Sequence, residues 1–501
     1  MKGAVLVSQH EMLDWLDQYA GKTYGNFIQG EWLASKSGRT VPLYHAARKD
    51  QLLGYFADST EEDVDLAVKA AHEAFKTWSR VPAPERSTML LTFAGLLERD
   101  AKELAYMLSA EQGKTLAESY GEVGRAAKET RFAAGDALRI DGETLPGERA
   151  HVWNSTVRYP IGVIAAIAPW NFPVVTPVRK IAPALAYGCT VVIKPASNTP
   201  WATVKIMELL AEAGLPRGVV NLVTGSGSRV GDPLVRHPLV RGISFTGSTK
   251  QGLTINEIAG GRLARTQLEL GGKNPAVVLD YPHLEYAAKQ IVSAAFTCSG
   301  QRCTAISRVI VLQHQAEALT EAILKEMKQI KIGPAWEQGV NMGPLVSESH
   351  LESVRSYIEV GKREGARLRT GGEILTAGKF SNGAYMTPAL FDQVTPEMRI
   401  AKEEIFGPVL SVIPVKDEQE AFEAANAVDY GLAAAIFTEN LSSAYRYADQ
   451  IESGMVHINH GTASAAHMPF GGVKQSGFGP YSIGSSNKEF FTEMKVLYLQ
   501  Y

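Results

Sequence analysis

The chain has 501 residues, of which 45% are hydrophobic, and 50 basic against 53 acidic side chains give it a formal net charge of −3. This length is too great for one hydrophobic core and predicts two or three domains. A nearly balanced charge creates no strong field that would gather nucleic acid or anionic lipid, so neither is expected as a partner.

Targeting signals and metal-binding spacings are missing from the sequence. The apolar run within residues 1–8 is too short for a signal peptide, and no other stretch approaches the length of a membrane span. Cys189, Cys298 and Cys303 cannot all pair and lack the spacing of a zinc site, so we expect reduced thiols and no metal. These features predict a cytoplasmic protein that contacts no membrane.

The first long segment, residues 61–135, is predicted to be mostly helical. Ser59, Thr60 and Asp63 provide a cap and a first turn, and apolar positions then recur at helical spacing. From 139 to 158 the pattern changes to strand-like runs separated by Gly142, Pro146 and Gly147, which predicts a hairpin.

Two series of strands and helices follow. Short apolar strands at 163–167, 191–194, 219–223 and 242–245 alternate with helices, as is typical of a parallel, doubly wound α/β sheet. A second series, from about 271 to 483, contains strands at 276–279, 307–312 and 408–415. Residues 490–501 form a last strand without an evident partner, which another subunit's sheet could provide.

Several short motifs could bind phosphate. Gly113-Lys114-Thr115 resembles the end of a P-loop, but Leu108 stands where that loop needs glycine. The turn at 225–231 resembles a dinucleotide fingerprint with one residue too many, which leaves a phosphate site and an ordinary turn equally open. Gly247-Ser248 ends a strand and opens a helix, so it fits either a pyrophosphate site or a serine N-cap.

The pair Glu269 and Cys303 carries the clearest chemistry. Glu269 precedes a Gly-Gly turn, and Cys303 follows the polar residues Ser299 to Arg302. A carboxylate and a thiol are the two groups needed to form and hydrolyse a thioester. The alternatives are an exposed acid at a strand end and a small buried cysteine.

Seven segments then occur in a fixed order: Pro169-Trp170-Asn171-Phe172-Pro173, Lys194-Pro195-Ala196-Ser197, Phe245-Thr246-Gly247-Ser248, Glu269-Leu270-Gly271-Gly272-Lys273-Asn274, Gly300-Gln301-Arg302-Cys303, Glu404-Ile405-Phe406-Gly407-Pro408 and Pro469-Phe470-Gly471-Gly472. Together they resemble the signature of the aldehyde dehydrogenase superfamily. The resemblance runs from about Asn26 to the C-terminus.

The resemblance implies a three-part organisation of the α/β fold. Residues 1–138 and 161–270 would form a Rossmann-type nucleotide-binding domain, and residues 271–483 a catalytic domain. Residues 139–160 and 484–501 would form a small β element for oligomerisation. A homodimer or a homotetramer is expected on this basis.

The same resemblance implies roles for individual residues. Cys303 would attack the aldehyde, the Asn171 amide and the Cys303 backbone N–H would hold the oxyanion, and Glu269 would activate the hydrolytic water. Lys194 and Glu404 would hold the two riboses of the cofactor, with Phe406 near the nicotinamide ribose. The other expected cofactor contacts are Ile167, Trp170, Ser197, Gly247, Ser248 and Leu270.

Ser197 bears on the choice of cofactor. Family members restricted to NAD often carry a glutamate at this position, which would repel a 2′-phosphate. A serine removes that repulsion, and Lys194 lies nearby in sequence. The sequence therefore predicts that NADP is accepted, alone or beside NAD.

The substrate pocket is predicted around the helix after Asn171. Helical spacing places Phe172, Thr176 and Arg179 on one face, although Pro177 makes the register approximate. Relatives acting on semialdehydes of dicarboxylic acids and on lactaldehyde carry an arginine here, which suggests a clamp for a carboxylate or sulfonate. The alternative is a structural salt bridge.

The sequence leaves the individual aldehyde open. Residues 300–311 resemble 2-oxoglutarate semialdehyde dehydrogenases, whereas Arg179 and residues 194–197 resemble succinate semialdehyde dehydrogenases. Ser464, together with His460 and His467, is expected in the pocket wall. Lactaldehyde or an apolar or aromatic aldehyde remains the alternative substrate.

Two other classes of protein remain possible beside a hydrolytic dehydrogenase. A CoA-acylating relative would typically lack the carboxylate of Glu269, and a non-catalytic relative would tolerate the loss of Cys303.

Many members carry a proton-relaying glutamate shortly after the Lys-x-Ser-Gly segment. Here Pro480-Tyr481-Ser482 follows it, which leaves the exit of the proton from Glu269 without an assigned route.

Overall fold

The computed structural model describes residues 9–501. Residues 1–8, which carry the expectation about a signal peptide, lie outside the described part. No helix within 9–501 combines the length and the hydropathy needed to cross a membrane.

The helices of the described chain have the following bounds: α1 Gln9–Asp17, α2 Glu61–Trp78, α3 Ala83–Arg99, α4 Ala101–Gln112, α5 Leu116–Ala137, α6 Val175–Ala186, α7 Trp201–Glu212, α8 Asp232–Arg236, α9 Thr249–Gly260, α10 Leu284–Phe296, α11 Gln313–Met327, α12 Glu348–Arg363, α13 Arg399–Lys402, α14 Glu418–Asn426, α15 Leu441–Gln450 and α16 Asn487–Phe491.

The strands are β1 Thr23–Tyr24, β2 Asn26–Ile28, β3 Glu31–Leu33, β4 Thr40–His45, β5 Arg48–Ala57, β6 Thr144–Leu145, β7 Val152–Pro160, β8 Val163–Ile167, β9 Thr190–Lys194, β10 Val220–Leu222, β11 Val240–Thr246, β12 Arg265–Glu269, β13 Asn274–Val278, β14 Ile306–Leu312, β15 Arg367–Thr370, β16 Ile374–Leu375, β17 Tyr385–Met386, β18 Ala389–Asp392, β19 Val409–Val415, β20 Tyr430–Gly431, β21 Ala433–Phe437, β22 Met455–Ile458, β23 Val473–Lys474, β24 Gly477–Phe478 and β25 Thr492–Gln500.

The predicted helical segment is confirmed as four helices, α2 to α5. Thr60 and Asp63 form a reciprocal capping box at the start of α2, in which the Thr60 backbone N–H donates to Asp63 Oδ2 at 2.9 Å. Capping satisfies backbone donors that have no partner within the first turn.

The first large sheet has the order β24-β12-β11-β8-β9-β10-β2-β3, and its strands β12 to β10 are parallel neighbours. Alternate residues of β8 face opposite sides: Ile164 and Ala166 pack with α3, α5, α6 and α7, and Val163 and Ala165 pack with α2, α8 and α9. Helices on both faces confirm the doubly wound α/β sheet. The carboxyl ends of its parallel strands meet at one edge, where Glu269 ends β12.

The second large sheet has the order β15-β18-β19-β14-β13-β21-β22. Its strands β13, β14 and β19 confirm the predicted strands of the second series to within two residues. The segment 471–483 crosses back to the first sheet, because Leu268 of β12 pairs with Phe478 of β24.

A separate three-stranded sheet joins the predicted hairpin to the end of the chain, in the order β25-β7-β6. The pairing of β25 with β7 is antiparallel and runs from Thr492↔Pro160 to Gln500↔Val152. The chain's own hairpin thus supplies one partner of the terminal strand. Within the described residues the other edge of β25 is unpaired, so pairing with another subunit's sheet stays a prediction.

Candidate active site

A cavity of about 560 Å³ lies between the two large sheets. Most of the residues singled out in the sequence line it: Trp170, Asn171, Phe172, Arg179, Gly247, Ser248, Glu269, Leu270, Cys303, Glu404, Phe406 and Ser464. Ile167, Lys194 and Ser197 do not line this cavity and lie at or just beyond the ends of β8 and β9.

Cys303 occupies a tightly held loop before β14. The side-chain amide of Asn274 donates to the carbonyls of Cys303 and Ala305, both at 2.8 Å. A Cβ at Gly272 would lie 2.6 Å from the Cys303 carbonyl oxygen, so the close approach of these segments requires glycine there. The Gly-Gly-Lys-Asn run therefore fixes the position of the thiol.

The Cys303 thiol is half-buried and faces the cavity. Burial, followed by the nearby Glu269 carboxylate, raises the pKa of Cys303 to about 12, while Arg179 acts in the opposite direction. At this pKa the Cys303 thiol is protonated at neutral pH. Forming the nucleophilic thiolate therefore requires a base that takes the proton or a bound cation that lowers the pKa.

Glu269 is only 2% exposed, so the alternative of an exposed strand-end acid is wrong. Its Oε2 accepts a hydrogen bond from Thr246 Oγ1 at 3.2 Å, and its Oε1 is buried without a hydrogen-bond partner among residues 9–501. Burial raises the pKa of Glu269, against the opposing effects of Arg179 and Lys180. A carboxyl in this setting titrates closer to neutral pH and can serve as a general base.

Thr246 connects Glu269 to polar groups behind it. Lys180 Nζ donates to Thr246 Oγ1 at 2.8 Å and to Ser244 Oγ at 3.1 Å. Burial lowers the pKa of Lys180 to about 8. Tyr481 packs against two glycines: an added Cβ would lie 2.4 Å from its ring at Gly471 and 2.7 Å from its hydroxyl at Gly454. Tyr481 makes no described contact with Glu269.

Asn171 lies in the turn between β8 and α6. Its Nδ2 donates to the Gln301 carbonyl at 3.0 Å, which ties the turn to the loop that carries Cys303. Its own carbonyl accepts a hydrogen bond from Lys114 Nζ at 2.8 Å. A carboxamide has two N–H donors, so one remains for an oxygen in the cavity.

At the start of α9, Ser248 Oγ accepts from the Gln251 backbone N–H at 3.4 Å, as an N-cap does. The Gly247 N–H donates to the Glu269 carbonyl at 3.1 Å and is therefore occupied. The Gly247-Ser248 turn therefore forms the serine N-cap, one of the two roles predicted for it. The turn also lines the cavity.

Lys194 ends β9, and Ser197 lies in the loop that follows, beside the glycine-rich turn. Burial lowers the pKa of Lys194 to about 8, and its Nζ donates to the Pro195 carbonyl at 2.8 Å. Ser197 is exposed and donates through Oγ to the Gly225 carbonyl at 3.0 Å. The two loops that follow β9 and β10 therefore share one surface.

Glu404 and Phe406 form the opposite wall. Glu404 Oε1 accepts from the Gly272 N–H at 2.8 Å, and burial raises the pKa of Glu404 to about 7. Phe406 has a positive φ of 57°, and its carbonyl accepts from His350 Nε2 at 2.8 Å. The Trp170 ring packs edge-on against Phe406, with centroids 5.4 Å apart.

The structure changes the expected setting of Arg179. Helix α6 begins at Val175, so Phe172 precedes it, although the Thr176 N–H still donates to the Phe172 carbonyl and all three predicted residues line the cavity. Arg179 Nε and Nη2 donate to Glu129 at 3.0 and 2.9 Å, and Nη1 lies 3.7 Å from Glu269 Oε2. These contacts are the ones expected if Arg179 forms a structural salt bridge, the alternative to a substrate clamp.

Two other arginines of the cavity were missed from sequence. Arg125 donates through Nε to Glu129 at 2.6 Å and through Nη1 to the Ser464 carbonyl, and its Nη2 is buried without a hydrogen-bond partner in the described part of the chain. Arg302 donates to the Ala294 carbonyl at 2.5 Å, and its Nε is likewise buried without a partner. Helical spacing from Glu118 through Glu122 to Arg125 and Glu129 is the signal that could have found Arg125.

Of the other three residues expected in the pocket wall, one lines the cavity and two do not. Ser464 lines the cavity, whereas His460 and His467 are not among its lining residues. His460 Nδ1 instead interacts with the Gly461 carbonyl at 2.7 Å, and His467 is exposed.

The sequence of this chain matches known proteins over nearly its full length. The model of the aldehyde dehydrogenase family matches residues 32–497. An alpha-ketoglutaric semialdehyde dehydrogenase of Bacillus subtilis is 45% identical over 479 residues, which cover 95% of this chain and 98% of the relative. A malonate-semialdehyde dehydrogenase of the same organism is 39% identical and covers 95% and 97% of the two chains.

The fold has solved counterparts as well. A crystal structure of betaine aldehyde dehydrogenase from Staphylococcus aureus in complex with NAD⁺ superposes with a TM-score of 0.94 at 33% identity, covering 98% of this chain and 97% of that one.

Proposed function

The chain belongs to the aldehyde dehydrogenase family, and we propose that it oxidises a short anionic semialdehyde to the acid with NAD⁺, through covalent catalysis at Cys303. The convergence of Cys303, Glu269 and Asn171 on one cavity carries this proposal. These three residues supply a nucleophile, a base and an oxyanion donor.

In the first step the Cys303 sulfur attacks the aldehyde carbon, so that a C–S bond forms and the carbonyl oxygen takes up the π electrons. The thiol proton leaves to a base, for which Glu269 is the nearby carboxylate. The remaining Asn171 amide N–H and the Cys303 backbone N–H are proposed to stabilise the oxyanion.

As the oxyanion re-forms the C=O bond, the aldehyde hydrogen leaves as a hydride and a thioester remains on Cys303. Once Glu269 has released the thiol proton to solvent, this thioester is hydrolysed. Glu269 accepts a proton from water as the water oxygen bonds to the acyl carbon, and the C–S bond breaks to release the acid and the thiolate. Supporting this role, Glu269 Oε1 is buried without a hydrogen-bond partner in a group that lines the cavity.

NAD⁺, when bound, supplies the hydride acceptor. The fit of this chain to such a group rests on three features: the Glu404 carboxylate at the cavity wall, the buried Lys194 ammonium, and the Ser248 cap where β11 gives way to α9. We assign Glu404 and Lys194 to the two riboses and the Gly247-Ser248 turn to the pyrophosphate. Ile167, Trp170, Leu270 and Phe406 are proposed as the remaining contacts.

We also propose that NADP⁺ is accepted. Ser197 is exposed and uncharged, and Lys194 lies at the end of the preceding strand. Ser197→Glu should weaken the use of NADP⁺ while sparing NAD⁺. Absence of NADP⁺ turnover at concentrations where NAD⁺ saturates would exclude this part of the proposal.

Three arginines favour an anionic substrate. Arg179, Arg125 and Arg302 all line the cavity. Arg179 is largely engaged by Glu129, whereas Arg125 and Arg302 each keep one unpartnered buried donor. We therefore assign the contact with the substrate carboxylate or sulfonate to Arg125 and Arg302. Arg179 would act on the substrate only through its positive charge.

A panel of aldehydes tests this assignment. 2-Oxoglutarate, malonate and succinate semialdehydes, lactaldehyde, sulfolactaldehyde and an apolar aldehyde should be compared by NADH formation, with and without CoA. The proposal expects an acidic aldehyde to have the highest kcat/KM and CoA to have no effect. Preference for the apolar aldehyde would contradict the anion assignment, and dependence on CoA would indicate an acylating enzyme.

For the whole chain we propose the domain roles implied by its family. The first large sheet would bind the nucleotide, the second would carry the thiol, and the sheet β25-β7-β6 would join subunits into a homodimer or homotetramer. Exposed apolar side chains on that third sheet support an interface.

A further inference from the structure

A segment that the proposed chemistry does not use lies directly beneath the site. Residues 111–122 comprise the end of α4, the connection 113–115 and the start of α5, and Lys114, Glu122 and Glu111 among them are buried. Charged side chains are seldom placed in a protein interior unless paired. Their contacts therefore indicate what this segment holds.

Lys114 holds the turn that carries Asn171. Its Nζ donates to Glu122 Oε2 at 2.5 Å and to the Asn171 carbonyl at 2.8 Å. It also lies 4.1 Å from the centroid of the Phe172 ring. One ammonium thus contacts two successive residues of the turn.

Glu122 fixes the end of the same turn. Its Oε1 accepts from the backbone N–H groups of Val174 and Val175, at 2.8 and 3.0 Å, where α6 begins. A carboxylate at this position caps the helix and interacts favourably with its dipole.

Glu118 reaches the other loop. Its Oε1 accepts from the Cys298 N–H at 2.6 Å, and its Oε2 accepts from the Thr115 N–H at 2.8 Å. Cys298 and Ser299 have φ values of 55° and 57°, which non-glycine residues rarely adopt, so an external hydrogen bond helps to hold them. The loop then continues to Cys303.

We propose that Lys114, together with Glu118 and Glu122, is a positioning element that sets the Asn171 amide against the Cys303 loop. This inference rests on the proposed function, because it assumes that Asn171 binds the oxyanion. Lys114 touches no reacting atom and acts through Asn171. Displacements of about 1 Å in such groups can reduce rates about a hundredfold.

A double-mutant cycle tests the inference. Lys114→Met should lower kcat/KM by about tenfold or more, with little change in KM, and Lys114→Arg should restore part of the loss because a guanidinium can still donate to both oxygens. In an Asn171→Ala background the Lys114→Met change should have almost no further effect on kcat/KM. Fully additive losses would overturn the inference.

Glu111→Gln is the matched control. Glu111 belongs to the same segment but accepts from the N–H groups of Trp201 and Ala202, away from the Asn171 turn. It should alter the thermal midpoint while leaving kcat/KM unchanged. An equal loss of kcat/KM in this variant would show that Lys114 matters only through the stability of the segment.

The outcomes also separate the two proposals. Full activity in Asn171→Ala would refute the oxyanion assignment in the proposed function. A strong loss in Asn171→Ala, combined with additivity, would refute only the positioning role of Lys114. If Lys114→Met does not fold, the same cycle with Lys114→Arg decides, since loss of activity that persists unchanged in the Asn171→Ala background contradicts the inference.

Discussion

At the scale of single residues, the proposed chemistry depends on the protonation states of Cys303 and Glu269. Burial raises the pKa of both groups, and the Glu269 carboxylate raises that of the thiol further. Arg179 opposes both shifts from its position 3.7 Å from Glu269. Under the proposed mechanism, the arginine should therefore contribute to the pH at which the pair becomes active, whether or not it touches substrate.

This electrostatic role predicts a shifted pH profile. Activity should rise with pH as Glu269 loses its proton, and Arg179→Met should move the rising limb to higher pH because a cation that lowers both pKa values is removed. The measurement is kcat/KM against pH with an apolar aldehyde, which avoids any contact with a substrate anion. Arg179→Lys, which keeps the charge, should shift less, and an unshifted limb in Arg179→Met would contradict the role.

Arg125 should act on the substrate instead. Arg125→Met should reduce kcat/KM for an anionic semialdehyde by roughly tenfold to a hundredfold, the usual worth of a charged hydrogen bond, and spare an apolar aldehyde. Arg131→Met is the control, because Arg131 lies on the same helix and pairs with Glu98 at an exposed site. Equal losses for both aldehydes would exclude an anion contact.

Single residues differ in how visible they are in sequence. Glu269 and Cys303 were predicted because each stands in a short motif whose composition already implies its chemistry. Arg125 and Lys114 were missed because they act across the fold: their partners Ser464 and Asn171 are distant in sequence. Arg179 was singled out, but only the structure shows that Glu129 occupies its guanidinium.

Among the elements, helix α7 depends on a buried acid. Burial raises the pKa of Glu111 from its ordinary value of 4.5 to about 8, although two backbone N–H groups favour its charged form. A carboxyl whose pKa is raised on folding contributes stability that is present below its unfolded pKa and is lost as the pH rises through the folded value.

The free energy of unfolding should therefore fall between pH 4.5 and about 8 by an amount on the order of a few kcal/mol from this group alone. Glu111→Gln should flatten that part of the profile. Denaturant titrations of both proteins across this range measure the difference, and parallel profiles would contradict the prediction.

Elements with strong local patterns were predicted well. Strand β8 matches its predicted range, and β9, β10 and β11 differ by one or two residues, because continuous apolar runs bounded by turns define buried strands. The start of α6 was placed too early because Glu122, a residue far away in the chain, caps it at Val174 and Val175. A long-range cap leaves no local signal.

At the scale of the whole molecule, the third sheet exposes a set of apolar side chains. Its strand β25 lies at an edge and exposes Met494, Val496 and Tyr498, and Trp153 of β7 is exposed beside it. An exposed, mostly apolar edge strand is prone to pair with another chain. The strand patterns alone gave β7 and β25 as two separate signals, and only the family resemblance implied that residues 139–160 and 484–501 form one β element.

Tyr498→Lys combined with Val496→Lys should therefore reduce the oligomeric state, measured by light scattering after size exclusion. The added charges oppose burial of that surface. Leu263→Lys is the control, since Leu263 is 89% exposed and lies outside the sheet. An unchanged mass in the double variant would exclude this sheet as the interface.

The covalent route through Cys303 is tested most directly by trapping the acyl enzyme. Glu269→Gln, mixed with an acidic semialdehyde and NAD⁺, should give one slow burst of NADH per active site and then stall, because solvent can still take the thiol proton and the thioester forms, but the thioester is not hydrolysed. Trypsin cuts after Arg302, which separates Cys298 from Cys303 into different peptides. The account predicts the acyl mass on the peptide that begins at Cys303, and wild-type steady turnover or an acyl mass on the Cys298 peptide would contradict it.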